Sequence, residues 1–372
     1  MLHVHEINLQ ANIGGGEVYT RSLTRALASA GARVSLYVNP GNRIWDGLVG
    51  ERIECIPVPQ EAALRALLPA RSLVLTQGPL SRATLQWLDE HHLLTGFAHM
   101  PMFQRSAAEF NAFRLVFSVS RYCIGLLQRA GISHAYPEPV YGTIDVARSG
   151  EPVVLRSPLI VDRKKPRDVL FGGYRAIFGM PGANEPFQRR PGLTLGLVSL
   201  ISPIKQFLAL FGILAPVLAQ RPRVNLEIFG SGGYDLVRDL GYALAPLGAR
   251  ARFWGYQPNV GALYPQLDYL MTGLPEKEAL GLNALEAQGC GTPVLAPDAP
   301  PFTETVVQGS GFRYRDPRQD GGRHFAEILD AILAGRPRPD PRIAARDHLA
   351  QFTHVALVER ARRMINALSD LE

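Results

Sequence analysis

Two glutamates, Glu278 and Glu286, stand eight positions apart in the stretch EALGLNALEAQGCGTPVLA, residues 278–296. On one continuous helix, a rise of about 1.5 Å per residue would separate their carboxylates by roughly 12 Å. Carboxylates that work as an acid/base pair lie closer, about 5 to 9.5 Å apart. The spacing therefore disfavours a shared metal or a hydrolytic pair, and it favours a long ligand that is held at two points.

The residues around these glutamates suggest which ligand that is. The glycine and proline content before position 282 predicts a loop that carries Glu278, and Asn283 to Gln288 are predicted to form the first turns of a helix that carries Glu286. Amides around Gly281 and Leu282 would then be free to bind anionic oxygens at the helix N-terminus. This arrangement suits a nucleotide sugar. The loop carboxylate would bind one end of the ligand, the amides its phosphates, and the helix carboxylate a pair of hydroxyl groups at the other end.

Glycine turns follow several of the predicted strands. In ANIGGGE, residues 11–17, Gly15 and Gly16 offer amides at a helix N-terminus, although a plain tight turn fits equally well. The stretch lacks the G-x-G-x-x-G spacing, which argues against a dinucleotide cofactor. The turns IFGSGG and FWGY could hold a nucleotide through main-chain hydrogen bonds, and this prediction rests on Gly230, Trp254 and Gly255.

A lysine also lies next to a predicted helix N-terminus. The stretch SLISPIKQF, residues 199–207, contains Ser202 and places Lys205 at the start of a helix predicted over 204–219. Lys205 is one of only four lysines among 39 basic residues. It is either a point charge for a phosphate or an exposed helix lysine.

Short apolar segments alternate with amphipathic ones through both halves of the chain, which predicts an α/β fold with two doubly wound parallel sheets. Ligands bind at the carboxyl ends of the strands in such sheets, so the two halves are expected to face a cleft. The predicted domains are 1–185, 192–350, and a final helix over 351–372. Strands are predicted at 2–9, 33–40, 52–59, 71–78, 93–101, 113–120, 193–200, 224–233, 250–256, 267–273 and 292–298.

Composition limits the function classes. The net charge of +6 lies in the first half, where residues 1–190 hold 21 Lys+Arg against 15 Asp+Glu. Its densest point, Arg163 to Arg167, suits an anionic partner such as a membrane face, or is a solvated loop. No nucleic-acid-binding module accompanies the charge. The N-terminus has no leader pattern and no segment is long and apolar enough for a span, so a cytoplasmic location is expected.

These motifs, taken in order, resemble those of retaining GT-B glycosyltransferases of family 4. The E-x7-E signature of that family stands at Glu278 and Glu286, and GGGE, the Ser-Pro-Ile-Lys turn at 202–205, FGSGG and FWGY stand at similar intervals. The resemblance is close over most of the second half and loose over the first. It implies two Rossmann-like domains and a final helix that crosses back to the first domain.

The resemblance also implies roles for individual residues. Glu286 would hydrogen-bond the donor ribose, Glu278 the transferred sugar, and Lys205 the diphosphate. His99, at the end of the segment LLTGFAHMP, matches a histidine that faces the donor sugar, although a packed histidine that caps a strand is the alternative. Leu200 stands where the family usually has an arginine, and Arg175 or Arg121 would have to replace that cation.

The reaction expected from the resemblance is transfer of a sugar from a nucleotide diphosphate to an acceptor hydroxyl, with retention at the anomeric carbon. No Asp-x-Asp motif occurs, so no metal and no cofactor beyond the donor is predicted. The acceptor is expected to be a saccharide or a lipid-linked saccharide of bacterial polysaccharide or lipopolysaccharide synthesis at the inner membrane face. The alternatives are a nucleotide-sugar epimerase and a catalytically silent sugar-nucleotide binding or scaffold protein.

Overall fold

The computed structural model describes residues 1–11, 13–48, 50–102, 106–146, 153–161 and 184–371. The chain divides into two compact units. The first comprises Met1–Thr143 with Ala350–Glu372, and the second comprises Ile144–Leu349. Each unit contains one six-stranded sheet whose strand pairs are parallel.

The sheet of the first unit has the strand order β3-β2-β1-β4-β5-β6. Parallel neighbours need a crossover, and α-helices follow β1, β3 and β4, whereas short 3-10 segments follow β2 and β5. Serine side chains fix two helix starts: Ser81 accepts from the Thr84 N–H and Ser120 from the Cys123 N–H. The strands are β1 (His3–Asn8), β2 (Arg33–Val38), β3 (Ile53–Pro57), β4 (Leu73–Thr76), β5 (Leu93–Ala98) and β6 (Val116–Ser118), and the helices are α1 (Gly15–Ser29), α2 (Leu64–Leu67), α3 (Arg82–His91) and α4 (Arg121–Arg129).

The sheet of the second unit repeats this winding, with the order β12-β11-β10-β7-β8-β9. Its central strands β7 and β8 are buried over nearly their whole length, as expected for a parallel sheet covered on both faces. The strands are β7 (Leu193–Val198), β8 (Val224–Phe229), β9 (Ala251–Gly255), β10 (Tyr269–Met271), β11 (Val294–Pro297) and β12 (Gly311–Tyr314). The helices are α5 (Phe207–Ala219), α6 (Tyr234–Ala243), α7 (Val260–Leu263), α8 (Leu282–Gly289), α9 (Phe302–Thr305), α10 (Pro317–Asp320), α11 (Arg323–Leu333), α12 (Pro341–Ala344) and α13 (Arg346–Ala350).

The last helix, α14 (His354–Ser369), packs on α1 of the first unit. Its buried residues recur at helical spacing and form one apolar stripe along the helix. Thr353 caps its N-terminus by accepting from the Ala356 N–H. The stripe consists of Leu357, Ala361, Met364 and Leu368.

The predicted α/β class with two parallel doubly wound sheets is confirmed. The first unit ends at Thr143, whereas the sequence placed the boundary at 185. The physical reason is that residues 153–161 bond to turns of the second unit: the Ser157 N–H donates to the Trp254 carbonyl and the Gly232 N–H to the Ile160 carbonyl.

Some of the sequence predictions fall on parts of the chain that are not described. The basic cluster from Arg163 to Arg167 and the candidate cation Arg175 lie outside the described residues. Among the helices of the described ranges, none is long and apolar enough to cross a membrane.

Candidate active site

The carboxylate of Glu278 is held by donors from its own surroundings in the second unit. Its Oε2 accepts from the ammonium of Lys205 in an ion pair. Its Oε1 lies 3.2 Å from the Gly281 nitrogen and 3.3 Å from the Ala279 nitrogen. An ammonium and main-chain N–H groups are also the donors that bind phosphate oxygens. In this structure, the loop's own carboxylate therefore takes up donors that an anionic ligand would use.

This arrangement corrects one sequence prediction. The amides around Gly281 and Leu282 were expected to be free, but the Gly281 N–H donates to Glu278. The Leu282 N–H has no hydrogen-bond partner among the described residues and lies at the first position of α8. Gly281 is the residue before that helix and has a φ of 81°, a conformation that favours glycine.

The turn before α5 positions Lys205. That helix begins at Phe207 rather than at 204, because Gln206 adopts a left-handed conformation with φ 54°. Lys205 therefore lies in a turn in which its N–H donates to the Ser202 carbonyl over 3.1 Å. Ser202 contributes to the site through this main-chain contact.

A second loop holds Lys205 from the other side. The Lys205 carbonyl accepts from the Leu274 N–H at 3.3 Å. A Cβ on Gly273 would lie 2.2 Å from the same carbonyl oxygen, so only glycine allows this close approach. The two loops that carry Lys205 and Glu278 are thereby joined through their main chains as well as through the ion pair.

Glu286 lies on α8, and its carboxyl is fixed by a residue that was not predicted. The Tyr264 hydroxyl donates to Oε2 over 2.8 Å. Burial raises the pKa of Glu286 to about 7, against the opposing effects of the Tyr264 hydroxyl and the positive charge of Lys205. Tyr264 itself is fully buried. One oxygen of Glu286 is therefore held by a hydrogen bond within the protein, and the positive charge of Lys205 acts on the same carboxyl.

Asn283 anchors the start of α8 to the sheet. Its Nδ2 donates to the Val198 carbonyl at the end of β7 over 3.0 Å, and its Oδ1 accepts from the Ala284 N–H. Both ends of the amide are thus used within the protein. Asn283 therefore holds the start of α8 against β7, and its contact with a donor stays a prediction.

The glycine turns after β8 and β9 pack on each other. The Gly230 N–H donates to the Gly255 carbonyl over 2.8 Å, and a Cβ on Gly230 would lie 1.9 Å from the Ser199 carbonyl oxygen. Trp254 is fully buried and its Nε1 donates to Glu227 over 2.7 Å. The Gly230 amide is therefore paired within the protein and the Trp254 indole has no exposed surface, and donor binding by Gly230, Trp254 and Gly255 stays a prediction.

His99 directly follows β5 in the first unit and is half-buried. Its Nε2 lies 2.6 Å from the Gln77 Oε1. The ring stacks on Phe97 with centroids 4.8 Å apart and meets the edge of Tyr19 at 5.1 Å. Burial lowers the pKa of His99 to about 4, so the imidazole is neutral at physiological pH. The ring is therefore a fixed, uncharged polar group at the carboxyl end of a strand.

The GGGE turn lies at the start of α1. Gly15 and Gly16 form the first turn of that helix, and a Cβ on Gly16 would meet nothing within 4 Å. Glu17 is buried, and burial raises the pKa of its carboxyl against hydrogen bonds from the main chain of Glu17 and Gly14. The Glu17 carboxyl thus accepts hydrogen bonds from main-chain N–H groups of this turn, as the Glu278 carboxylate does in the second unit.

Three residues of these clusters were not singled out from the sequence. Glu6 carries a carboxylate within the buried strand β1, and Gln77 follows β4. A carboxylate inside a predicted strand was the available signal for Glu6. Tyr264 reaches Glu286 only through the tertiary fold, so nothing local marked it.

Leu200, at the position of the usual arginine, is 38% exposed.

Part of the second unit matches a known family model. Residues 198–342 match the family model for glycosyl transferases group 1. D-inositol 3-phosphate glycosyltransferase of Stackebrandtia nassauensis is 33% identical over 195 residues, which are 46% of this chain and 42% of that protein. The match therefore covers less than half of that relative's own length.

Comparison with solved structures covers the whole chain. Anabaena Alr3699/HepE in complex with UDP and glucose is similar with a TM-score of 0.69 and 18% identity, over 99% of this chain and 100% of that one. Sucrose-phosphate synthase from Thermosynechococcus elongatus is similar with a TM-score of 0.68 and 17% identity, over 100% of both chains. At these identities the likeness concerns the fold. The chain therefore has the fold of GT-B glycosyltransferases, and its residues 198–342 match the family model for glycosyl transferases group 1.

Proposed function

We propose that this chain is a retaining glycosyltransferase of family 4 that moves a sugar from a nucleotide diphosphate to an acceptor hydroxyl. The observation that carries the proposal is the cluster of Lys205, Glu278 and the α8 N-terminus. The positive charge of Lys205 also acts on the carboxyl of Glu286. This cluster combines a cation and amides for phosphates with two carboxylates for hydroxyl groups. The match to the group 1 family model over the same residues supports it.

In the proposed reaction, the acceptor oxygen forms a bond to the anomeric carbon on the face from which the diphosphate leaves. The bond from that carbon to the phosphate oxygen breaks, and the acceptor proton passes to the departing diphosphate. Lys205 and the amides at the start of α8 stabilise the negative charge on that group. Glu278 binds the transferred sugar, Glu286 the ribose, and His99 a group of the donor sugar.

We infer no metal and no cofactor beyond the donor, since the sequence has no Asp-x-Asp motif. Turnover is then expected to be unchanged after dialysis against a chelator. A rate that disappears with chelator and returns with a divalent cation would contradict this part of the proposal.

For the acceptor, we propose a saccharide or lipid-linked saccharide of polysaccharide or lipopolysaccharide synthesis. The excess of basic residues in the first half supports docking at an anionic membrane face. Charge reversal at Arg163, Lys164, Lys165 and Arg167 is expected to weaken binding to vesicles that contain anionic lipid. Unchanged vesicle binding and activity would exclude docking through this cluster.

The test of the transferase activity is a panel of UDP-, GDP-, ADP-, CMP- and dTDP-sugars, with released nucleotide measured with and without acceptors. UDP-glucose is the first donor to try, because a similar fold was solved with UDP and glucose. Glu286→Ala is expected to abolish the donor response, and Glu327→Ala, an exposed glutamate on α11 of the same unit, serves as the matched control.

Leu200 favours one alternative, a sugar-nucleotide binding or scaffold protein without catalysis, because the usual phosphate-binding arginine is missing. That protein would be stabilised thermally by a nucleotide sugar, by about 2.7 kcal/mol at a hundred times the dissociation constant, without turnover. An epimerase would convert the donor without an acceptor. Acceptor-dependent release of nucleotide would exclude both.

A further inference from the structure

Three polar side chains lie in a row across the middle of the first sheet. Glu6 is on β1, Gln77 follows β4 directly, and His99 follows β5 directly. Because β4 pairs with both β1 and β5, the strand order itself places Gln77 between the other two. The Gln77 N–H also donates to the Ile7 carbonyl over 2.8 Å, which fixes its main chain to β1.

The side chains form a continuous chain of hydrogen bonds. The Gln77 Nε2 donates to Glu6 Oε1 over 2.5 Å, and the Gln77 Oε1 lies 2.6 Å from His99 Nε2. The other oxygen of Glu6 accepts from the Thr24 hydroxyl over 2.5 Å. Glu6 and Thr24 are fully buried, so no solvent contact competes with these bonds. We call Glu6, Gln77 and His99 the His99 relay.

The polarity of the relay follows from its buried carboxylate. An ionised carboxylate only accepts hydrogen bonds, so Gln77 must turn its NH₂ group towards Glu6. Its carbonyl oxygen then faces His99 and only accepts. The proton of the neutral imidazole is therefore required on Nε2, and Nδ1 carries a lone pair. Nδ1 has no hydrogen-bond partner among the described residues.

We propose that Gln77 and Glu6 are positioning residues that hold His99 as a neutral imidazole protonated on Nε2, with Nδ1 presented as an acceptor. The ligand group that meets His99 must then be a donor such as a sugar hydroxyl, and a carboxylate or phosphate oxygen is disfavoured. Phe97 and Tyr19 fix the plane of the ring, so the direction of the lone pair is fixed as well. Only the identification of that ligand as a sugar rests on the proposed function.

The direct test is the tautomer of His99, read from long-range proton–nitrogen spectra of the ligand-free protein labelled with ¹⁵N-histidine. The spectra are taken at pH 8.5, where Glu6 is ionised even though burial raises its pKa to about 7. His99→Gln assigns the signal among the nine histidines. His134 provides an internal reference, because its Nε2 lies 3.0 Å from the Phe110 carbonyl oxygen and must donate to it.

Two variants probe the relay. Gln77→Met removes both polar ends at similar length, so His99 is expected to show a mixture of tautomers. Glu6→Gln keeps size and hydrogen-bonding capacity but loses the charge that fixes the Gln77 amide, so a fraction of the Nδ1-protonated form is expected. His134 should not change in either variant. A wild-type His99 protonated on Nδ1, or the wild-type tautomer retained in both folded variants, would overturn the proposal.

A functional measurement separates positioning from mere packing. With a donor that the wild type turns over, the wild type is expected to reject the uronic-acid form of that donor at least tenfold more strongly than Gln77→Met does. Equal selectivity in the two proteins would count against the assigned acceptor role. The tautomer measurement needs no ligand, so it stands or fails independently of the transferase activity.

Discussion

The two units hold their polar residues in different ways. In the His99 relay of the first unit, each hydrogen bond joins side chains that lie on or directly after neighbouring strands, and the polarity is set by a buried carboxylate. In the second unit, Lys205 and Glu278 are on two loops and pair with each other. The first arrangement depends only on the sheet, whereas the second brings together two groups that can each exchange their partner for a ligand.

This difference indicates which cluster is ready for a ligand and which must rearrange. Strand order fixes the relay before anything binds, so ligand binding costs little reorganisation there. The Lys205 ammonium and the Ala279 and Gly281 amides already bond to Glu278, so we expect an anionic ligand to displace that carboxylate.

Removing the cation of the second unit is expected to have the largest effect. Lys205→Met keeps most of the side-chain length but removes the charge that stabilises the leaving diphosphate. Loss of one such group typically lowers the rate about 10²- to 10³-fold. The measurement is kcat with the best donor of the panel, and Lys277→Met, in the same loop as Glu278, is the matched control. Equal losses in both variants would contradict a specific role for Lys205.

A buried carboxylate in the relay predicts a pH-dependent stability. Because burial raises the pKa of Glu6 to about 7, the folded state retains a proton that the unfolded state has lost between about pH 4.5 and 7. Its contribution to the free energy of unfolding then falls by about 1.4 kcal/mol per pH unit as the pH rises through this window. Burial lowers the pKa of His99, which acts with the opposite sign and is common to both proteins.

The comparison that isolates Glu6 is urea denaturation of the wild type and Glu6→Gln at pH 5, 6, 7 and 8. The wild type should lose stability relative to the variant up to about pH 7, after which the difference should stay constant. Glu51→Gln, an exposed glutamate of the same unit, controls for the loss of a charge. A constant difference across the range would contradict a Glu6 whose pKa is raised by burial.

Because Lys205 and Glu278 pair with each other, removing the Glu278 carboxylate is expected to strengthen the binding of a nucleoside diphosphate. Glu278→Ala releases Lys205 and the Gly281 amide, so it is expected to bind a nucleoside diphosphate without sugar about tenfold more tightly, or about 1.4 kcal/mol. The same variant should lose transfer, since the sugar contact is gone. Isothermal titration with UDP measures the first effect. Weaker binding of UDP to the variant would refute displacement of Glu278 by phosphate.

The smallest effect is expected at Tyr264. Tyr264→Phe removes the hydroxyl that holds Glu286, a hydrogen bond that contributes roughly 0.5 to 1.5 kcal/mol, so donor affinity should fall about two- to tenfold. The hydroxyl also lowers the pKa of Glu286, so its loss should raise that pKa and make the defect larger near pH 7 than at pH 8.5. A loss of donor affinity that does not vary with pH would show that Tyr264 does not act through the ionisation of Glu286.

The fold followed from the sequence because both halves repeat a strong alternation of apolar strands and amphipathic helices. The predicted strand at 33–40, for example, is Arg33–Val38 in the structure, and the helix predicted over 204–219 is Phe207–Ala219. The start of that helix was wrong because no local pattern marks the left-handed conformation of Gln206.

The site was less predictable because its contacts are made between distant residues. Lys205 and Glu278 were both singled out, but their mutual ion pair joins loops 73 positions apart. Gly230 and Gly255 looked like ligand-binding turns, but each also lies where a Cβ would meet main chain, the Ser199 carbonyl oxygen at Gly230 and the Ser157 carbonyl oxygen at Gly255. A glycine turn that binds a ligand and a glycine turn that packs against main chain have the same sequence pattern, so only the tertiary fold distinguishes them.

The most direct test of the contrast between the units is a crystal structure with the nucleotide sugar that the panel identifies. We expect that Glu278 leaves Lys205, that the ammonium and the amides of Gly281 and Leu282 contact the diphosphate, and that the Gln77 contacts to Glu6 and His99 stay unchanged. A diphosphate bound elsewhere with the Lys205–Glu278 pair intact would contradict it.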